Sequence, residues 1–243
     1  MVGYLRLEVA RSLRDVRFLI LALVAPVGFY LLFAGLFGGG SAGTITVAAA
    51  LMVAMAVYGT MYAVMLATGP RIAQDRGIGW LRQLRLLPVR PNSVLVARLL
   101  AALALAVPVL ALVMLTAVLT HGIRLDAGQW IALTVVLWLT AIPFAVLGSA
   151  IGYAMGAEAA FGVLYALGVV LSALGGLWMP ITMFPTGLQT AGKLLPTYRA
   201  ADLGIRIVAG KPLDFSDVLL LLAWTVIFCL LALYFTARVP RSR

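Results

Sequence analysis

Residues Gln74–Pro91 read QDRGIGWLRQLRLLPVRP, an arginine-rich, tryptophan-bearing segment set between two long apolar runs. The upstream run covers 44–69 and the downstream run 99–120. Each reaches the roughly 20 residues that a helix needs to cross the hydrocarbon core of a bilayer. Similar runs recur at 18–37, 130–155, 161–178 and 216–237. Of the 243 residues, 64% are hydrophobic and 11% charged, and the mean hydropathy is +1.10. Soluble domains average about 45–50% apolar and about 25% charged, so a soluble class is excluded. The expected fold is an all-α polytopic membrane protein, one transmembrane domain with six transmembrane helices, because helices satisfy their own backbone in lipid. The sequence shows none of the short alternating segments of a membrane β-barrel.

Residues 1–17 place Val2, Leu5, Val9, Leu13 and Val16 on one helical stripe, with Glu8, Arg11, Arg14 and Asp15 opposite. This spacing predicts an amphipathic interfacial helix in the headgroup plane, or else a charged tail that fixes orientation. The 18–37 run exceeds the about 7–15 residues of a signal-peptide core, so a retained span is expected. Residues 179–215 are broken by Pro180, Pro185 and Pro196, too interrupted to span and too apolar for a free loop. They predict a re-entrant broken hairpin between spans five and six. Six spans put both termini, the 70–98 loop and the turn at Glu158 on one side. That side holds Arg6, Arg11, Arg14, Arg17, Arg71, Arg76, Arg82, Arg85, Arg90, Arg98, Arg238, Arg241 and Arg243. The other holds only Arg124, Lys193, Arg199, Arg206 and Lys211. The positive-inside rule therefore places Gln74–Pro91 and both termini in the cytoplasm and 179–215 outside. Topology thus accounts for the net charge of +10 without a nucleic-acid partner.

No ionisable residue falls deep inside an expected span, which argues against an ion-coupled pump. The sequence offers no Gly-rich nucleotide loop and no metal-ligand cluster. Ser149 and Ser172 do not match a nucleophile elbow, and Cys229 lies in an apolar run that excludes a disulfide framework. His121 reads as an interfacial residue. The chain therefore looks like a pathway without an engine. Asp75 can cap a helix running through Gly77 to about Leu87, with Pro88 ending it. Trp80, Leu84 and Leu87 form an apolar ridge at i, i+4 and i+7, while Arg76, Arg82 and Arg85 project elsewhere. Such a ridge suits a helix-in-groove contact with a protein, and equally a helix resting on anionic membrane lipid. In the second span Met52, Met55, Tyr58, Gly59, Tyr62 and Met65 share a face. That face suits an adaptable binding wall, or ordinary helix packing around a small residue. The glycine spacing in Gly148–Gly152, and in Gly162, Gly168, Gly175 and Gly176, favours close helix contacts.

Two motifs are similar to those of the ABC-type-2 permease family, the membrane subunits of ABC exporters. DRGIGWLRQLRLLPVRP resembles the family's cytoplasmic loop through Asp75, Arg76, Gly77, Leu81, Leu84, Pro88 and Val89. The stretch LGGLWMPITMFPTGLQTAGKLLPTYRAADLGIRIVAGKP resembles the segment after the fifth span. Its matching positions are Gly176, Pro180, Pro185, Leu188, Gln189, Leu195, Pro196, Tyr198, Arg206 and Gly210. At Trp80-Leu81-Arg82 many relatives carry a Thr-Leu-Glu-like sequence, which changes the charges a partner must complement. The resemblance covers essentially the whole chain. It implies a dimer of permeases, expected to be a homodimer, in a bacterial plasma membrane. Two copies of a separate cytoplasmic ABC ATPase subunit would hold the ATP and Mg, with no cofactor and no enzyme activity on this chain. The loop helix (Asp75, Arg76, Gly77, Trp80, Leu81, Arg82, Leu84, Arg85, Leu87 and Pro88) would act as the coupling helix to that ATPase. Spans two and five would line the substrate path, with Met52, Met55, Tyr58, Tyr62 and Met65 as its wall. Pro180, Pro185, Leu188, Leu195, Pro196 and Tyr198 would form the outer gate. The cargo would be an amphipathic or hydrophobic drug, antibiotic or lipid-like molecule. The alternatives are a membrane-embedded transferase, which would need paired acidic residues, and a non-transporting sensor or accessory protein.

Overall fold

A computed structural model of the chain describes residues 16–77 and 91–238. The expected interfacial helix over 1–17 falls, but for its last two residues, outside the described residues, as do 78–90. Among the described residues six helical segments are long and apolar enough to cross a membrane. They are Ile20–Phe37, Val47–Gly77, Val96–His121, Ala127–Ala154, Ala157–Leu174 and Phe215–Arg238, spans one to six below. The strands are confined to a two-residue hairpin, Ser41–Ala42 paired with Ile45–Thr46, between spans one and two. The fold is an all-α polytopic bundle, as the composition requires.

Span two is the centre. Every residue from Met52 to Gly69 is buried, consistent with a helix apolar all round its circumference. It packs on spans one, three and five, on the second half of span four and on the Pro196–Val208 helix. Its expected end at Gly69-Pro70 is corrected by the structure: the helix continues through Pro70 to Gly77. Proline costs the helix one backbone bond, but Arg71, Ile72, Ala73 and Asp75 beyond it are all buried. Tertiary packing outweighs the local penalty there.

Two other prolines leave visible marks. Pro26 cannot donate to Ala22, and the turn before it widens into a π-helical segment, Ile20–Val24, closed by Ala25 N–H on the Ile20 carbonyl. Pro143 cannot donate to Leu139, and span four is two helices rather than the continuous one expected: Ala127–Leu139 and Ile142–Ala154. The first half starts on a capping box. Asp126 accepts from Gln129 N–H at 2.8 Å, and the Gln129 side chain accepts from Asp126 N–H at 3.1 Å. Trp138 Nε1 ties it to the Leu103 carbonyl of span three at 2.8 Å.

The second half of span four lies between spans two and six. Here the close contact expected of Gly148–Gly152 forms; Gly168 and Gly175 are also tightly packed, whereas the contact expected at Gly162 does not form, since nothing lies within 4 Å of its Cβ position. A Cβ on Gly148 would sit 2.2 Å from Thr68 Oγ1 and 2.9 Å from the Met65 carbonyl oxygen, and one on Gly152 would sit 2.4 Å from the Gly69 carbonyl oxygen. The two helices therefore meet backbone to backbone, the close approach that small residues allow in membranes.

After span five the chain turns at Gly176, whose φ of +75° is left-handed, and Leu177 N–H bonds back to the Ser172 carbonyl at 3.0 Å. Three short helices follow: the 3₁₀ turn Ile181–Met183, then Thr186–Leu194 and Pro196–Val208. Gly210 at φ +66° closes the last of them. This is the interrupted helical region that Pro180, Pro185 and Pro196 predicted.

The glycine contact predicts a sharp contrast. Gly152→Ala pushes into backbone that cannot rotate away and should cost on the order of 1–3 kcal/mol. Gly162→Ala, with nothing within 4 Å of its Cβ position, should be neutral or slightly stabilising. Thermal unfolding of the two variants in detergent checks the pair; equal melting temperatures would remove the contact from the argument.

Candidate coupling and transport sites

At one end of the bundle span two ends at Gly77 and the next described helix begins at Pro91. Asp75 and Arg98 form an ion pair across this junction. Both are nearly inaccessible, 6% and 3% exposed, so each neutralises a charge that water cannot solvate. Asp75 is therefore not the N-cap of a new helix, as its place before Gly77 suggested. It sits inside the last turns of span two, because the helix runs past Pro70. Arg76 reaches span four, donating from Nη1 to the Gly152 carbonyl at 3.0 Å and to the Tyr153 carbonyl. Those carbonyls lie at the C-terminal end of Ile142–Ala154, where the helix leaves acceptors without intrahelical donors. Arg71 is buried one turn earlier. Spans two, three and four are thus tied together at this end of the bundle. Gly77 is the exposed last residue of span two. Trp80, Leu81, Arg82, Leu84, Arg85, Leu87 and Pro88 lie outside the described residues.

The Met/Tyr face of span two is brought together, but inward. Met52, Met55, Tyr62 and Met65 have no exposed surface, and Tyr58 has 3%. Tyr62 donates its hydroxyl to the Tyr165 carbonyl of span five at 3.0 Å. Gly168 leaves room for its ring, since a Cβ there would meet ring atoms at 2.5 Å. Tyr58 packs edge-on to Tyr62 at 4.9 Å and to Phe29 at 5.8 Å, and lies 6.0 Å from the Trp178 ring. In this arrangement the face is core, covered by its contacts with spans one and five. Sequence reasoning did not single out Phe29 or Trp178, because their role depends on which helices are neighbours.

At the opposite end the expected outer residues separate into two groups. Pro180, Pro185 and Leu188 are exposed and sit in or beside the first two short helices. Leu195 precedes Pro196–Val208 in extended conformation, Pro196 opens that helix and is buried, and Tyr198 is half-buried in its first turn. Burial raises the Tyr198 hydroxyl pKa, and the nearby Asp202 carboxylate adds to that shift. The Pro196–Val208 helix is held by a charged cluster that sequence reasoning missed. Arg199 pairs with Asp217 at 2.5 Å, and Arg206 pairs with Asp202 at 2.6 Å and Asp214 at 3.0 Å. Hydrogen bonding to Asp202 raises the Arg206 pKa; the Ser216 backbone N–H, ahead of the arginines, lowers that of Asp214. Asp217 is fully buried, but in the first turn of span six rather than deep inside it. The Asp202/Arg206 spacing of i, i+4 was the available signal. The remaining partners are eight or more residues apart along the chain.

The Asp75–Arg98 pair makes a quantitative prediction. Arg98→Ala removes the span-three half of a buried ion pair and should destabilise by about 3–5 kcal/mol, whereas Asp75→Ala combined with Arg98→Ala should cost less than the two single changes together. Chemical unfolding of the four proteins closes the cycle. Strict additivity would mean that the two side chains do not depend on each other.

Comparison with known proteins agrees with this architecture. Residues 39–238 match the model of a family described as ABC-2 family transporter protein. The chain is also 27% identical over 227 residues to YvfS of Bacillus subtilis (strain 168), whose name describes a transport permease. That alignment covers 93% of each chain. The family match spans most of the bundle, from the hairpin after span one to the end of span six. The chain is a multi-pass membrane protein that belongs to the ABC-2 family of transporter permeases.

Proposed function

We propose that this chain is the membrane subunit of an ATP-driven exporter in a bacterial plasma membrane, energised by a separate ABC ATPase that docks on the 78–90 segment. The observation that carries the proposal is the fastening of that segment's base. Asp75 and Arg98 join spans two and three, and Arg76 joins span two to the end of span four. A force on the segment therefore enters the buried central helix and both its neighbours. The apolar ridge of Trp80, Leu84 and Leu87 fits a groove on the ATPase, and Arg82 and Arg85 fit acidic groups at its rim. ATP and Mg bind to that partner, present in two copies.

In this reading the Gly77 end of the bundle is cytoplasmic and the Ile181–Val208 helices are outside, as the arginine distribution favours. The Ile181–Leu194 portion moves as the outer gate over a fixed Pro196–Val208 helix. The exposed apolar side chains of spans one, five and six, among them Leu32, Val170 and Leu230, face lipid or a second identical permease. Cargo is amphipathic or hydrophobic, and it meets the Met/Tyr face when the spans part.

Leu84→Arg places a charge on the proposed ridge. It should lower co-purification of the ATPase and ATP-driven efflux by at least about tenfold while leaving the fold intact. Unchanged ATPase binding and transport would defeat the docking assignment. Orientation is checked separately in a Cys229→Ser background. An impermeant maleimide added to whole cells should label a cysteine placed at Leu188 and spare one placed at Gly77; the reverse labelling would invert the topology.

A further inference from the structure

The ring cluster between spans one, two and five contains a buried donor that packing leaves unsatisfied. Trp178 Nε1 is buried without a hydrogen-bond partner, and so is Ser172 Oγ of span five. Indole N–H groups in protein interiors are usually paired, because an unpaired donor loses its bond to water and gains nothing in return. Trp178 also holds a junction. It follows span five, immediately precedes the exposed Met179-Pro180 start of the outer helices, and lies in a continuous series of rings. Its ring is 6.1 Å from Phe29 and 6.0 Å from Tyr58; Phe33 stacks on Phe29 at 5.9 Å, and Tyr165 lies 6.3 Å from Tyr62. The series runs from half-buried Phe33 through Tyr62, with no exposed surface, to Tyr165, 44% exposed.

We infer that Trp178 is a specificity-determining residue of the transport path, donating its indole N–H to an oxygen acceptor on an uncharged, planar aromatic cargo seated against Phe29 and Tyr58. This rests on the transporter reading given above. Offset and edge-on rings about 5–6 Å apart are the contacts that a flat guest can replace with equivalent ones. None of the six rings belongs to a charged residue. An anion would lack a cationic partner there; a cation could gain cation–π attraction from the ring faces, but it would face the positive end of the N–H dipole and leave the donor unsatisfied. A carbonyl or ether oxygen satisfies the donor without bringing charge into the site.

The test uses three probes on one three-ring frame: N-methylacridone, which carries a carbonyl acceptor; anthracene, which lacks one; and the cation N-methylacridinium. Binding to the full-length chain in lipid nanodiscs is read from probe fluorescence, with wild type and variants in identical discs so that partitioning into lipid cancels. Trp178→Phe keeps a ring but removes the donor. It should weaken N-methylacridone about tenfold and leave anthracene within about twofold. After subtraction of each probe's binding to empty discs, wild type should prefer N-methylacridone over both other probes. An equal effect of Trp178→Phe on acridone and anthracene, or no effect on either, overturns the donor assignment. If the variant does not fold, the wild-type ranking decides, and equal binding of acridone and anthracene is again fatal. ATP-driven transport by the assembled complex is scored separately. Transport of other cargo without acridone binding would sink the cargo class and leave the permease reading standing.

Discussion

Span two has no lipid face, and the placement of the other elements follows from that. A helix buried on every side from Met52 to Gly69 must be surrounded, so spans one, three, four and five and the Pro196–Val208 helix all pack against it. In a bilayer, water expulsion does not drive helices together, so close contact and polar anchoring must do so. This chain uses both. Gly148 and Gly152 bring span four against Gly69 and Thr68 without intervening side chains, and the polar anchors sit at the two ends of the bundle.

Those two ends are built differently. At the Gly77 end, Asp75, Arg76 and Arg98 are engaged with helices that adjoin span two, so the anchor ties the centre of the bundle to spans three and four. At the other end, Arg199 and Arg206 with Asp202, Asp214 and Asp217 tie the Pro196–Val208 helix to the start of span six, a peripheral element. Asp217 has no exposed surface, and breaking a buried pair costs more than its formation gains. The Pro196–Val208 helix is therefore a fixed part of the bundle. The preceding Thr186–Leu194 helix, in which only Gly192 is buried, is held more lightly. Its C-terminal carbonyl at Leu194 accepts from Trp224 Nε1 at 2.8 Å, which ties the joint between the two helices to span six.

Composition and run length sufficed for the six spans, and Pro180, Pro185 and Pro196 announced the short helices between spans five and six. The Gly148–Gly152 contact was also legible, because its spacing acts locally. What the sequence obscured was context. Pro70 is a helix breaker by itself, and only the burial of Arg71, Ile72, Ala73 and Asp75 shows why the helix continues; the same shift turns Asp75 from a cap into half of an ion pair. The Met/Tyr face could not be assigned to core or wall, since in a chain so apolar the periodicity of one helix does not say what its neighbours cover. The Arg199–Asp217 pair joins residues 18 apart on two helices, beyond the reach of any local pattern.

The contacts of span two also divide by stiffness, and this bears on how a signal could cross the bundle. Against span four the contact is backbone on backbone, with a Cβ position on Gly152 only 2.4 Å from the Gly69 oxygen. Little sliding is possible there without steric overlap, so these two helices must move together. Against spans one and five the contact runs through Phe29, Tyr58, Tyr62 and the methionines, whose rings can shift offset and whose thioethers change rotamer at small cost. A displacement entering at Asp75 and Arg76 would thus carry span two and the second half of span four as one body. The compliant seam, where separation is least costly, is the ring cluster that ends at Trp178. From that residue the chain passes directly into the short helices that precede span six.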